Sequence, residues 1–260
     1  MKRFFVILSL VTLASLLLSA CGAAQPASHL DKIKQAGTIK VGTSADYPPF
    51  EYVDENGNKI GFDIELMEEI AKRLGVKLEW VDMPFDSLIA GVQEGKIDAS
   101  ISAFNYSEER DQVVDFTDPY YTSEDAFTVA DGFGGAINAP EDVAAFKVGV
   151  QTGTTQDGWL TDTLQIAEGN LFRYDRVDQA MADLKNGRID VMMSDYVPAE
   201  ALAKQLGGLK IVYKGVLSSG PMNIVIPDGD AELAKAINEI IKQLQDEGFI
   251  NNLALKHFGQ

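Results

Sequence analysis

Asp86-Ser-Leu-Ile-Ala-Gly-Val-Gln-Glu-Gly-Lys-Ile-Asp98 returns 92 residues later as Asp178-Gln-Ala-Met-Ala-Asp-Leu-Lys-Asn-Gly-Arg-Ile-Asp190. Asp86, Ala90, Gly95, Ile97 and Asp98 recur identically, and Lys96 becomes Arg188. Each copy reads as a helix, a glycine stop and a strand, the strands spanning Ile97 to Ser102 and Ile189 to Met193. A single helix–glycine–strand run is common in α/β chains. Its return at an offset too long for a solenoid unit predicts two similar lobes.

Around the repeat, strand-like and helix-like stretches alternate. Thr38 to Gly42 reads as a short strand after a helix that Gly37 ends. Glu51 to Val53 and Lys59 to Phe62 flank Asp54-Glu-Asn-Gly57, a hairpin signal. Asp63 to Leu74 sets Ile64, Met67, Ile70, Ala71 and Leu74 at helical spacing before Gly75, and Val76 to Val81 alternates as a strand. This rhythm predicts α/β lobes with largely parallel sheets. Such sheets take ligands at the carboxyl ends of their strands. Ala103 and Asp195 hold equivalent places past the two repeat strands, so facing lobes bring both to one cleft. Asp195 is the lone charge of Met192-Met-Ser-Asp195. It reads as a cleft residue, as the N-cap of a helix over Val197 to Leu206, or as both.

Composition narrows the function. The chain has 260 residues, 46% hydrophobic and 23% charged, which excludes disordered, collagen-like and multi-span membrane chains. A net charge of −17 repels phosphate backbones, so nucleic acid is not an expected partner. One cysteine excludes a disulfide framework, a zinc ribbon and a CxxC pair within the chain. His29 and His257 have no partners at metal-ligand spacing, and no phosphate loop, nucleophile elbow or dinucleotide fingerprint is present. No metal or cofactor is expected, and no nucleophile–base pair stands out to support an enzyme.

The amino terminus reads as an address. Lys2 and Arg3 precede an apolar run from Phe4 to Leu18, too short for a membrane span and suited to a signal peptide over residues 1–20. Leu18-Ser-Ala-Cys21-Gly22 then resembles the bacterial lipobox, in which the cysteine becomes the first mature residue and carries lipid. That reading makes 21–28 a lipidated linker and Cys21 a membrane anchor outside the cytoplasm. The competing reading is a plain secretory signal, or an uncleaved anchor, with an incidental cysteine.

Several residues suggest binding. Ser107-Glu-Glu-Arg110 opens a short helix soon after the first repeat strand, and a guanidinium at such a loop suits a carboxylate held through two parallel hydrogen bonds. A surface arginine paired with an acid is the competing reading. Thr152-Gly-Thr-Thr-Gln-Asp157 turns from a strand end into a helix whose first N–H groups attract an anion, although many βα loops look alike. The proline-stiffened Tyr47-Pro-Pro-Phe50 loop, together with Phe85, supplies aromatic walls or ordinary core.

Together these pieces resemble the family 3 extracellular solute-binding proteins of bacterial ABC importers, those for polar amino acids. The resemblance runs from about residue 30 to the end. It rests on Gly61-Phe-Asp-Ile-Glu-Leu-Met-Glu-Glu-Ile-Ala-Lys-Arg-Leu74, on Ser107-Glu-Glu-Arg110 followed by Val114-Asp-Phe-Thr-Asp-Pro-Tyr-Tyr121, on Gln151-Thr-Gly-Thr-Thr-Gln156, and on Gly187-Arg-Ile-Asp190 with Asp195. It implies the two-lobed type II periplasmic-binding-protein fold, each lobe a mixed, mostly parallel sheet flanked by helices. It also implies hinge strands near 118–122 and 217–221, with lobe one over 29–119 plus 221–260 and lobe two over 120–220. Arg110 becomes the clamp on a ligand α-carboxylate, helped by backbone N–H at Asn105 and Thr155. Asp195, with the Ala103 carbonyl, becomes the partner of the α-ammonium. Tyr47 and Phe85 become aromatic walls, and Ser102, Thr154 and Gln156 lining residues. Asn105 stands where the family commonly has a small hydroxyl residue, Tyr106 where it has an aliphatic one, and His257 where it often has Trp.

The implied partners are a free amino acid and a membrane ABC permease, bound by a monomer through hinge closure. Asp46, Glu51 and Gln156 lean the choice toward arginine, lysine or histidine, with glutamine next. Two rival readings use the same scaffold: a periplasmic cyclohexadienyl-type dehydratase, and a ligand-sensing lipoprotein.

Overall fold

The structure, a computed structural model, describes residues 28–259. The signal peptide read over 1–20, Cys21 with its lipid, and all of the linker but Ser28 lie outside the described residues.

The described residues open with α1 (His29–Ala36), capped by Ser28 and Asp31 in a reciprocal box and closed by Gly37 in the left-handed region. Then come β1 (Thr38–Thr43), β2 (Asp46–Tyr47), β3 (Glu51–Val53), β4 (Lys59–Ile60), α2 (Phe62–Leu74), β5 (Lys77–Asp82), α3 (Phe85–Gln93), β6 (Ala99–Ser100), β7 (Val114–Phe116) and β8 (Tyr121–Thr122). The middle of the chain forms β9 (Asp125–Ala130), β10 (Val148–Gln151), a single turn α4 (Thr155–Gly158), β11 (Leu171–Tyr174), α5 (Val177–Lys185), β12 (Val191–Asp195), α6 (Tyr196–Leu206) and β13 (Leu209–Gly215). It ends with β14 (Pro221–Met222), β15 (Val225–Pro227), α7 (Ala231–Asp246) and α8 (Phe249–Phe258).

Two five-stranded sheets share one plan. The first runs β5-β1-β6-β15-β7 and the second β11-β10-β12-β9-β13. β1 lies parallel between β5 and β6, as β10 does between β11 and β12, and β15 in one sheet and β9 in the other join antiparallel. The chain leaves the first sheet near Tyr121 and returns near Pro221, where β8 and β14 pair antiparallel.

The repeat has a packing reason. Gly95 and Gly187 take left-handed φ values of 67° and 72° just past the ends of α3 and α5. Ile97 and Ile189 then lie buried against Gly42 and Gly149, where an added Cβ would sit 2.4 Å and 2.3 Å from their Cδ1 atoms. Asp98 and Asp190 each exchange hydrogen bonds with the backbone of Lys40 and Lys147 on the neighbouring strand. These steps delay the sheet, so the strands are Ala99–Ser100 and Val191–Asp195 instead of the longer or earlier runs expected at Ile97 and Ile189. The helix expected to open at Ser107 is a single 3-10 turn, Arg110–Gln112, cut short because Val114 already pairs in β7.

The first lobe's core is aromatic. Phe50 and Phe62 are fully buried and pack with Tyr121 and with Phe258 of α8 at ring-centroid distances of 4.8 to 6.0 Å. Each such ring contributes roughly 1.5–3 kcal/mol through burial. His257, beside this cluster, meets Glu65 at 3.0 Å. His29 lies between Asp98 and Asp230 at 2.9 and 2.6 Å and docks α1 on the lobe.

Candidate functional site

The two sheets point the carboxyl ends of β1, β6, β10 and β12 into a shared cleft. A cavity of about 20 Å³ lies there, closed down to roughly the room of one water molecule. All eleven residues singled out above, from Asp46 to Asp195, line it. Ser44, Glu51 and Gln151 line it too. Glu51 entered the sequence reading of the site only through the lean toward a cationic ligand, Gln151 only as the first residue of the Gln151–Gln156 stretch, and Ser44 not at all.

Arg110 is 8% exposed and lies over two stacked rings, its Cζ 5.5 Å from the Phe85 centroid and 5.3 Å from that of Phe104. Phe85 therefore serves as a shelf for the guanidinium. Nη1 donates to the Asn105 carbonyl at 2.7 Å and Nη2 to the Gly153 carbonyl at 2.8 Å. A guanidinium carries five N–H donors, and no described carboxylate pairs with this one. Burial lowers its pKa to about 10, so the buried cation is held without its own counter-ion.

Asp195 ends β12 and occupies the N-cap position of α6, yet its side chain makes no capping hydrogen bond. The carboxylate instead accepts from Tyr47 Oη at 2.7 Å, Ser219 Oγ at 2.8 Å and Asn105 Nδ2 at 3.4 Å. Every one of these donors is neutral. Burial, with Asp195 3% exposed, raises its pKa. The cleft thus sets a buried cation from the first lobe and a buried anion from the second against one cavity.

Other side chains there are engaged with the protein. Thr154 caps α4, accepting from the Asp157 amide at 3.1 Å and donating to the Gln151 carbonyl at 2.8 Å. Thr155 Oγ1 donates to Gln156 at 3.4 Å, and Gln156 Nε2 donates to Ser219 at 2.9 Å. Asn105 Oδ1 accepts from Ser123 Oγ at 3.0 Å and from the Gly220 amide at 2.9 Å, beside the two crossing strands. Ser102 donates to Glu51 at 2.7 Å, and Ala103 has a positive φ of 48° with its amide on Asp63 at 2.7 Å. Among the described residues no group of three or more His, Cys, Asp or Glu is arranged to hold a metal ion.

The chain matches the bacterial extracellular solute-binding proteins, family 3, over residues 39–260. It belongs to that family. The L-cystine-binding protein TcyJ of Escherichia coli strain K12 is 32% identical over 230 residues, covering 88% of this chain and 86% of that protein. The lysine/arginine/ornithine-binding periplasmic protein of the same strain is 33% identical over 231 residues, covering 85% and 87%. A crystal structure of a mutant ArgBP from T. maritima superposes with a TM-score of 0.83 at 39% identity, covering 89% of this chain and 99% of that one. The fold is the two-lobed type II periplasmic-binding-protein fold, and both named relatives are binding proteins.

Within this family 3 protein, Asp46 links the two lobes. Its Oδ2 accepts from the Val177 amide, the first residue of α5, at 2.6 Å, and its Oδ1 accepts from Ser44 Oγ at 2.8 Å. Burial raises its pKa to about 6. A carboxylate spent on a helix start across the cleft favours the closed shape whatever the ligand. Asp46→Asn is therefore expected to weaken neutral and cationic ligands by the same factor, about tenfold for the lost charge-assisted bond. Titration calorimetry with arginine and with glutamine checks this; a loss confined to arginine would make Asp46 a ligand contact.

Proposed function

We propose that this solute-binding protein captures a free amino acid in the cleft between its lobes and delivers it to a membrane ABC permease. The observation that carries the reading is the placing of Arg110 and Asp195 on one cavity, each buried and each without an ion-pair partner among the described residues. Burying a charge is costly unless it meets an opposite, fixed partner. A zwitterion supplies both partners, its carboxylate to Arg110 and its ammonium to Asp195 with the Ala103 carbonyl. Tyr47 and Phe85 flank its carbon body, and Ser102, Thr155 and Gln156 complete the lining.

Lobe one comprises 29–119 plus 221–260, and lobe two 120–220. The antiparallel pair of β8 and β14, with flanking residues 118–122 and 217–221, acts as the hinge. Closure follows from better ligand contacts in the closed form. The ligand is a polar amino acid, and a cationic side chain is favoured because Glu51, bonded to Ser102, lines the cavity and no described cation bonds to it. The name of the lysine/arginine/ornithine-binding relative agrees with that choice. Cys21 carries the lipid that holds the monomer outside the cytoplasmic membrane.

A thermal-shift panel of the twenty amino acids tests the reading. A tight ligand raises apparent stability by mass action, about 2.7 kcal/mol at a hundredfold excess over Kd. Arginine or lysine is expected to give the largest rise in melting temperature. A flat panel, with an unrelated solute raising the melting point, would overturn it.

A further inference from the structure

Beneath the cavity floor, two carboxyl groups meet. Glu51 on β3 uses Oε1 to accept from Ser102 Oγ at 2.7 Å, and its Oε2 is buried with no donor. Asp63 on α2 uses Oδ2 to accept from the Ala103 amide at 2.7 Å and Tyr120 Oη at 2.9 Å, and its Oδ1 is likewise buried without a donor. The two carboxyl groups are held by adjacent residues, Ser102 and Ala103, and each keeps one buried oxygen without a donor. Carboxylate oxygens only accept, so a proton held on the pair supplies the donor that the protein does not. Glu51 lines the cavity, and Asp63 does not.

The surroundings favour keeping that proton while the cleft is empty. Asp46 from β2 presses on Glu51, whereas Ser102, the Ala103 amide and Tyr120 donate to the pair and favour its ionised form; burial outweighs these donors, and no cation is among them. Arg176 acts on Asp46 beside Asp178, one step further away. Burial raises Glu51 well above the usual carboxylate range and Asp63 to about 7. A guanidinium or ammonium brought against Glu51 reverses the balance, because it favours the ionised form.

We propose that Glu51 and Asp63 form a proton-exchanging carboxyl pair that selects for charge, giving up a proton when the bound ligand carries a cationic side chain and not when its side chain is neutral. Asp63 is a positioning residue: it acts on the ligand through Glu51. The inference rests on the reading of the cleft as an amino-acid site. The sign follows from linkage. The free pair holds more protons than the cation-bound pair, so affinity for a cationic ligand rises with pH until the free pair has titrated, then levels.

Calorimetry at pH 6 in buffers of different ionisation enthalpy counts the protons released. Arginine and glutamine are the probes, since arginine stays charged throughout and both carry the same α-groups. Any proton exchange at Asp195 is common to both and cancels in the difference. Arginine is expected to release up to about one proton more than glutamine. The ratio of their affinities should rise by up to about tenfold per pH unit between pH 5 and 7. Glu51→Gln should abolish both the excess release and the preference for arginine. Asp63→Asn, whose amide can donate to Glu51 while its oxygen still accepts from Ala103 and Tyr120, should keep arginine binding and flatten its pH dependence. Equal proton release by arginine and glutamine in the unsubstituted protein, with a pH-independent ratio, overturns the inference while leaving the amino-acid site intact. Binding of neither ligand overturns the site reading itself.

Discussion

Arg110→Ala is expected to weaken amino-acid binding by roughly 3–5 kcal/mol, two to four orders of magnitude in Kd. The ligand carboxylate would enter a dry cleft and find no cation. Arg110→Lys keeps a charge and loses the planar fork, so it should fall between the two. The unliganded protein should respond in the opposite sense. A buried guanidinium with two carbonyl acceptors and no carboxylate partner contributes little to folding, so the melting temperature of ligand-free Arg110→Ala should stay level or rise. Calorimetry and a melting curve on the same sample separate these effects. Unchanged affinity would remove Arg110 from the binding site, and a collapse of ligand-free stability would make it a structural residue.

Asp195→Asn is the matching experiment at the other end of the zwitterion. The side chain keeps its size, and its oxygen can still accept from Tyr47 or Ser219, so the closed lobe contacts are largely preserved. The charge facing the α-ammonium is lost. A hydrogen bond to a charged group contributes about 1.5–3 kcal/mol, so Kd should rise about ten- to a hundredfold or more. The loss should be the same for arginine and glutamine, because both carry the ammonium. A variant that binds as tightly as the unsubstituted protein would leave Asp195 a buried structural acid at the start of α6.

Much of this site was legible in the residues, and what was not has physical causes. The repeat pointed to Ala103 and Asp195 because its glycine, isoleucine and aspartate do local work: turn, wedge and strand tie. The strand limits slipped because Ile97 and Ile189 are wedges against Gly42 and Gly149, 55 and 40 residues away, and spacing alone cannot separate a wedge from a strand. Asp63 was readable and passed over. It lies four and seven residues before Met67 and Ile70, on the apolar face of α2, where a carboxyl needs a partner. Asp46 was expected at the ligand site; it lines the cavity, and its carboxylate also meets Val177 across the cleft. That pairing spans 131 residues and depends on how the lobes close, which no local pattern encodes.

A zwitterion bridging Arg110 and Asp195 would answer both buried charges, and the ligand can be altered to probe that bridge without touching the protein. Calorimetric titration of the unsubstituted protein with its best amino acid, with the decarboxylated amine and with the Nα-acetyl derivative is the most direct measurement. Loss of either end should cost roughly 3–5 kcal/mol, so both derivatives should bind at least about a hundredfold more weakly than the parent. If either derivative binds as tightly as the free amino acid, the corresponding charge in the cleft holds something other than the ligand.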